Sequence, residues 1–206
     1  MQMLRHSHLI AALALATRIL APSIPAPAAS DPAAFINSLG SQAQIVARNP
    51  SPSQRAAGFR QLFRENFDGP GLGRFVLGPF ARVLNSVEQQ EFLALFETYV
   101  VCTYSDRLFD LAASGSLPRL TGTRLDADGA YVSSEVTRGQ ATRPVRVDWR
   151  LTQRDGAYKI SDVIIDGLSM AINGRAELEG VAERNGEQPQ AILAVMRQES
   201  ASAALR

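Results

Sequence analysis

The sequence predicts an α+β fold in which a curved antiparallel sheet of four strands packs against a layer of helices. Apolar residues recur at helical spacing from residue 35 to residue 111 and alternate with polar residues from residue 120 to residue 165. Helical spacing then returns after Gly167. Helices, then strands, then helices are typical of an α+β domain and not of alternating βα units. With 206 residues, the chain is long enough for one domain with a substantial core.

Residues 1–28 are predicted to be a secretory signal peptide. Arg5 precedes an apolar stretch from Leu9 to Leu20, and the small residues Ala26 to Ala28 provide a cleavage site. Arg18 interrupts the apolar stretch, which is also too short to cross a bilayer. We therefore expect export to the periplasm and one folded domain over residues 29–206.

Loss of this segment limits the chemistry of the mature protein. Both histidines, His6 and His8, are removed, and nineteen basic residues then face twenty acidic ones. A net charge near zero argues against nucleic acid as a partner. Without histidine there is no Ser-His-Asp, Cys-His or zinc arrangement, and neither a metal nor a cofactor is expected. Cys102 is the single cysteine, so export without an internal disulfide indicates a bacterial periplasm.

Four helices are predicted before the sheet. Asp31-Pro32 and Ser51-Pro52 are each a capping residue followed by proline, which is typical of a helix start. The glycine-rich segment from Phe67 to Gly78 is interpreted as a tight corner and a short helix. Ser86 and Gln89 form a predicted capping box that opens the longest helix, of about seven turns. Its apolar face contains Phe92, Phe96, Tyr99, Val100, Tyr104, Leu108 and Leu111.

Alternation of apolar and polar residues predicts a four-stranded meander after residue 120. LTGTRL and AYVSSEVT flank a turn at residues 126–129, and PVRVDWRLTQ and AYKISDVIID flank a turn at Asp155-Gly156. The apolar face of the third strand contains Val145, Val147, Trp149 and Leu151. Two more helices are expected, from Leu168 to Arg184 and from Pro189 onward.

Two aspartates at the end of the last predicted strand allow two interpretations. A carboxylate in an apolar pocket can act as a general base, and Asp162 shares a strand face with Tyr158 and Ile160 in a strict alternation. The structural interpretation is that Asp162 is hydrogen-bonded locally and that Asp166 caps the helix after Gly167. The sequence favours the structural interpretation for both residues.

The interior also has two alternatives. The aromatic helix face and the apolar sheet face either interlock into one filled core or splay apart and leave a lipid-sized cavity. Composition does not separate these alternatives. If there is a cavity, its predicted lining residues are Phe75, Val76, Phe92, Phe96, Tyr99, Val100, Tyr104, Val147, Trp149, Ile160, Val163 and Leu168.

Three segments are similar to a known family. They read FDGPGLGRFVLG from Phe67, EQQEFLALFETYVVCTYSDRL from Glu88 and VDWRLTQRDGAYKISDVIIDGLSM from Val147. In this order and spacing, over residues 33–200, they resemble the MlaC family of periplasmic phospholipid-binding proteins, once called toluene-tolerance proteins. Residues 79–82, Pro-Phe-Ala-Arg, depart from the family's usual pattern and leave a hopanoid-associated branch of the family open.

The resemblance implies a carrier and not an enzyme. Family members hold the acyl tails of a phospholipid in a cavity and ferry it between an outer-membrane lipoprotein complex and an inner-membrane ABC transporter with an MCE-domain protein. It thus implies a periplasmic carrier of phospholipid, or of a hopanoid-type lipid, that maintains lipid asymmetry, and we expect a monomer. By charge alone, the candidates for headgroup contacts are Arg74, Arg146, Arg150 and Lys159.

Two other functions stay open on the sequence alone. One is an enzyme on a related cone-shaped fold that uses Asp162, together with a tyrosine, as a general base on a small hydrophobic substrate. The other is an interaction module without a lipid, whose ligand is another envelope protein.

Overall fold

The computed structural model describes residues 31–113, 117–127, 129–137, 143–186 and 188–204, with side chains for all of these except 106–113 and 203–204. The signal peptide at residues 1–28 lies outside the described residues and stays a prediction. The predicted α+β class is confirmed. The elements are α1 (Pro32–Ala47), α2 (Pro52–Asn66), α3 (Gly69–Leu77), a 3-10 turn (Gly78–Arg82), α4 (Ser86–Ala113), β1 (Arg119–Asp126), β2 (Gly129–Val136), β3 (Val145–Arg154), β4 (Ala157–Ile165), β5 (Leu168–Ser169), α5 (Met170–Arg184) and α6 (Gln190–Ala204).

Capping side chains fix where the helices begin. Asp31 Oδ1 accepts a hydrogen bond from the backbone of Ala33 at 3.1 Å, at the predicted start of α1. The capping box of α4 lies one residue before its predicted position. Asn85 Oδ1 accepts from the backbone of Glu88 at 3.0 Å, and Glu88 Oε2 accepts from the backbone of Asn85 at 2.8 Å. The side chain of Gln89 instead donates to the backbone carbonyl groups of Ala81, in the preceding 3-10 turn, and of Leu84, just after that turn.

The sheet is an antiparallel meander in the order β1-β2-β3-β4-β5. It has a fifth strand that the alternation did not predict. Asp166 and Gly167 have φ angles of 48° and 88°, the same positive pair that Asp155 and Gly156 show between β3 and β4. This turn reverses the chain, so Leu168 pairs with Ile165 and α5 begins two residues later than predicted.

Asp166 does not cap α5. Its Oδ1 accepts a hydrogen bond from the backbone of Arg146 at 3.1 Å, so its side chain extends the bonding between β3 and β4 beyond the end of β4. Ser169 is the N-cap, because its Oγ accepts from the backbone of Ile172 at 3.1 Å. The predicted cap is therefore three residues from the real one.

A β-bulge in β4 changes which residues face the helices. Arg150 pairs with Asp162 and Leu151 pairs with Ile160, which leaves Ser161 as an extra residue. Beyond the bulge, Val163 pairs with Trp149, so the inward face of β4 moves from even to odd residue numbers.

Two filled cores flank the middle of the molecule. One lies among the helices and contains Phe63, Val76, Leu77, Leu84, Phe92, Phe96, Leu178, Ala182, Ile192, Leu193 and Met196. The other joins α1 and α2 to the sheet and contains Ile36, Leu39, Leu62, Ala130, Val132, Leu151, Tyr158 and Ile160. Across the described ranges, no helix has the length and apolar character that a membrane span requires.

Candidate functional site: an apolar cavity

A cavity of about 580 Å³ lies between the helices and the sheet. Its wall combines residues of α1, α2, α3 and α4 with residues of β2, β3, β4, β5 and the first turns of α5. The side chains on this wall are mainly aliphatic and aromatic, which suits an apolar ligand. The sequence left open a filled core or a cavity, and the interior contains both.

Eight of the twelve predicted lining residues lie on this wall. They are Val76, Phe96, Tyr99, Val100, Tyr104, Trp149, Val163 and Leu168. Most of them come from the aromatic face of α4 and from the strand positions next to the bulge. Leu168 is 54% exposed, which places it where the wall meets solvent.

The other four lie elsewhere. Phe75 is 42% exposed, and the guanidinium of Arg175 lies 4.0 Å from its ring centre. Phe92 lies one turn before Phe96 on α4 and is fully buried in the helical core. The apolar face of α4 is wide enough to contact both this core and the cavity. Ile160 precedes the bulge and is covered by α1 and α2. Val147 is buried within the sheet, opposite Ser134 and Ile165 in the strand register.

None of the four basic candidates for headgroup contacts lines the cavity. Arg146 pairs with Asp148 at 2.9 Å, the guanidinium of Arg150 lies 5.7 Å from the ring centre of Tyr131, and Lys159 donates to the backbone of Glu65. Alternation explains this placement, since these three residues occupy the sheet face that points away from the cavity. Arg74 is exposed on α3.

The wall includes residues that the sequence did not single out, above all on α1. Ile36, Leu39, Gly40, Ala43 and Gln44 form one stripe of this helix. Helical spacing in the sequence shows that such a stripe is buried, but it does not show whether the stripe faces a core or a cavity.

Asp162 lies on the wall, and both of its carboxylate oxygens accept hydrogen bonds from the protein. Oδ1 accepts from the backbone of Val163 at 2.8 Å and of Ala171 at 3.0 Å, and Oδ2 accepts from Ser169 Oγ at 2.6 Å. These bonds join the β4 bulge to the start of α5, where a negative charge is also favoured by the helix dipole. A tyrosine is not among these partners, so the described geometry offers no Asp-Tyr pair for acid–base chemistry.

Two aromatic side chains of the wall also satisfy their polar atoms within the protein. Trp149 Nε1 donates to Ser134 Oγ at 3.0 Å, and the Tyr99 hydroxyl donates to Glu177 Oε2 at 3.0 Å. Their rings thus line the cavity while their polar ends bond to other protein side chains. Within the ranges that the structure covers, no group of three or more metal-ligating side chains is found.

The Tyr99 contacts predict a loss of stability at alkaline pH. Burial, and then the charge of Glu177, raise the pKa of Tyr99 well above its ordinary value. Above about pH 10, the unfolded chain releases the Tyr99 proton and the folded protein keeps it, so the free energy of unfolding falls as pH rises. Urea unfolding from pH 8 to pH 11 should show a weaker fall for Tyr99→Phe. An identical fall in both proteins would contradict the assignment, because the other three tyrosines are common to both.

Comparison with known proteins places the chain in a family. Residues 35–198 match the family described as MlaC protein. The fold is similar to that of a phospholipid-binding protein from Ralstonia solanacearum, solved in complex with a phospholipid at 1.53 Å, with a TM-score of 0.67 and 18% sequence identity. The match covers 83% of this chain and 97% of that chain, and at this identity it shows the shared fold. None of the curated proteins matches. Since the family match spans well over half of the sequence, the chain belongs to the MlaC family.

Proposed function

We propose that this protein is a periplasmic carrier that holds the acyl tails of a phospholipid in the cavity between its helices and its sheet. The observation that carries the proposal is the cavity of about 580 Å³ with an apolar wall. Family membership and the phospholipid in the Ralstonia solanacearum structure support this choice of ligand. The three hydrogen bonds by which Asp162 joins β4 to α5 indicate a structural role for this carboxylate and favour a carrier over an enzyme.

The cavity volume sets the amount of tail that fits inside. If a methylene occupies about the volume of a water molecule, roughly 30 Å³, the cavity of about 580 Å³ holds on the order of twenty methylenes. That is one long acyl chain or the inner parts of two. At about 0.8 kcal/mol for each methylene, roughly 15 kcal/mol opposes escape of the tail into water. Exchange with a bilayer changes the free energy little by comparison, because apolar groups surround the tail both in the cavity and in the bilayer.

This balance fits a shuttle between two docking sites. We propose that the protein, as a monomer, moves lipid between an outer-membrane lipoprotein complex and an inner-membrane ABC transporter with an MCE-domain protein, and so maintains lipid asymmetry. The resemblance to the family supports this cycle, and the predicted signal peptide supports its location. A protein that releases lipid only at a docked partner needs a deep apolar site and no reactive group.

Native mass spectrometry tests the proposal. The protein is purified from the periplasm without detergent, and bound lipids are extracted and identified. We expect one phospholipid for each protein chain, and reloading from phospholipid vesicles after delipidation. A hopanoid-type lipid in the extract would change the ligand and keep the carrier function. A protein that carries no lipid and accepts none from vesicles would overturn the proposal.

A further inference from the structure

One polar side chain on the cavity wall has no hydrogen-bond partner in the protein. Trp149, Tyr99 and Asp162 all have their polar groups bonded to neighbouring protein atoms. The amide of Gln44 differs, because its Nε2 is buried and no acceptor lies within reach among the described residues. A buried donor without an acceptor destabilises a protein, so such groups are rare unless a ligand or water completes them.

Gln44 is a cavity-lining residue of α1 that is partly exposed as a whole, although its Nε2 is buried. One turn earlier, α1 lies close to the start of the sheet, since a Cβ on Gly40 would come within 2.9 Å of Pro118 Cδ. Gln44 therefore contacts both the cavity and solvent, so the polar part of a lipid would begin near its amide if the tails fill the interior.

The chemistry of a glycerolipid supplies an acceptor at this position. A hydrocarbon tail has none, whereas the ester carbonyl that joins each tail to glycerol is a strong acceptor at the top of the tail. The last torsion of a glutamine side chain is soft, and no hydrogen bond from Nε2 to the described residues fixes its orientation, so its N–H can turn toward a ligand. An ether oxygen at the same place is a weaker acceptor and lacks the projecting carbonyl.

On the basis of the proposed function, we propose that Gln44 donates a hydrogen bond to an ester carbonyl of the bound lipid. The protein then selects ester-linked over ether-linked lipids of equal chain length and headgroup. A hydrogen bond that would otherwise stay unmade corresponds to a preference of about five- to tenfold.

Competition between two lipids tests this assignment. The protein is incubated with vesicles that contain equal amounts of diacyl- and dialkyl-phosphatidylethanolamine with the same chain length, and the bound lipids are quantified by mass spectrometry. We expect the native protein to be enriched in the diacyl lipid about five- to tenfold. Gln44→Leu and Gln44→Met should bind both lipids at a ratio near one. Gln42→Leu is the matched control, because the Gln42 amide already donates to Ser38 at 3.0 Å on the same helix.

The outcomes separate this inference from the proposed function. If neither lipid binds the native protein, the carrier function itself fails. If both lipids bind the native protein equally, or if the diacyl preference persists in both Gln44 variants, lipid carriage stands and the role of Gln44 is overturned. Two apolar replacements of different shape keep the test valid if one of them does not fold.

Discussion

Replacement of Gly174 by phenylalanine is expected to reduce lipid loading at least tenfold without loss of the fold. Gly174 is buried on α5 and lines the cavity. A Cβ at this position would meet the methyl groups of Val76 at 3.7 Å, which is an ordinary van der Waals distance. The helix therefore accepts a side chain here, and the ring takes space inside the cavity.

The size of the effect follows from volume. The phenylalanine side chain occupies on the order of 130 Å³, about a fifth of the cavity, and displaces about four methylenes of lipid. Methylenes that stay in water forfeit about 0.8 kcal/mol each, or roughly 3 kcal/mol in all. This free energy is an upper value because the tail can bend away from the ring. We therefore expect a reduction in lipid loading of at least tenfold, which corresponds to a smaller free energy of about 1.4 kcal/mol.

Gly180→Phe is the matched control for this prediction. Gly180 lies six residues later on the same helix and faces a separate hollow between α4, α5 and α6. Its nearest obstacle is the flexible side chain of Arg184, 3.1 Å from a Cβ. Both variants gain helix propensity over glycine, so neither should unfold at lower urea concentration for that reason. Full lipid loading in Gly174→Phe would show that the tails bind outside this cavity.

Apart from the short strand β5 and the 3-10 turn, the local signals of the sequence were sufficient for the element types and their order. Asp31-Pro32 and Asp155-Gly156 act through contacts within a few residues, and both occur where they were predicted. The bulge at Ser161 is different, because one extra residue in a strand leaves no local mark in an alternating pattern. It brings Val163 to the cavity and sets Asp162 beside the start of α5.

The division of apolar residues between wall and core depends on contacts that are distant in sequence. Phe92 and Phe96 belong to one helical stripe, yet only Phe96 reaches the cavity. Phe92 belongs to a core that includes residues of α6 such as Met196, about a hundred residues later. Helical spacing of apolar residues predicts α1, but the position of its stripe over the cavity depends on how α1 packs against the sheet. Periodicity predicts burial and not the identity of the covering surface.

Asp162→Ala is expected to lower the free energy of unfolding by about 2 to 4 kcal/mol. The change removes the acceptor for Ser169 Oγ and for the backbone N–H of Ala171. This N–H is then buried without a partner at the start of α5. It also removes the negative charge from the helix N-terminus. Urea unfolding followed by circular dichroism measures the loss. A variant as stable as the native protein would show that these bonds do not hold the strand to the helix.

Asp162→Asn separates this structural role from a chemical one. The asparagine oxygen can still accept from the backbone of Ala171, and the Ser169 hydroxyl can rotate to accept from the new amide, so we expect a loss of only about 1 kcal/mol. Lipid loading by Asp162→Asn should equal that of the native protein, since both carboxylate oxygens bond to the protein and an apolar tail needs neither of them. If the variant folds but does not load lipid, the charge of Asp162 acts on the ligand itself, and its bonds to the helix are not its whole function.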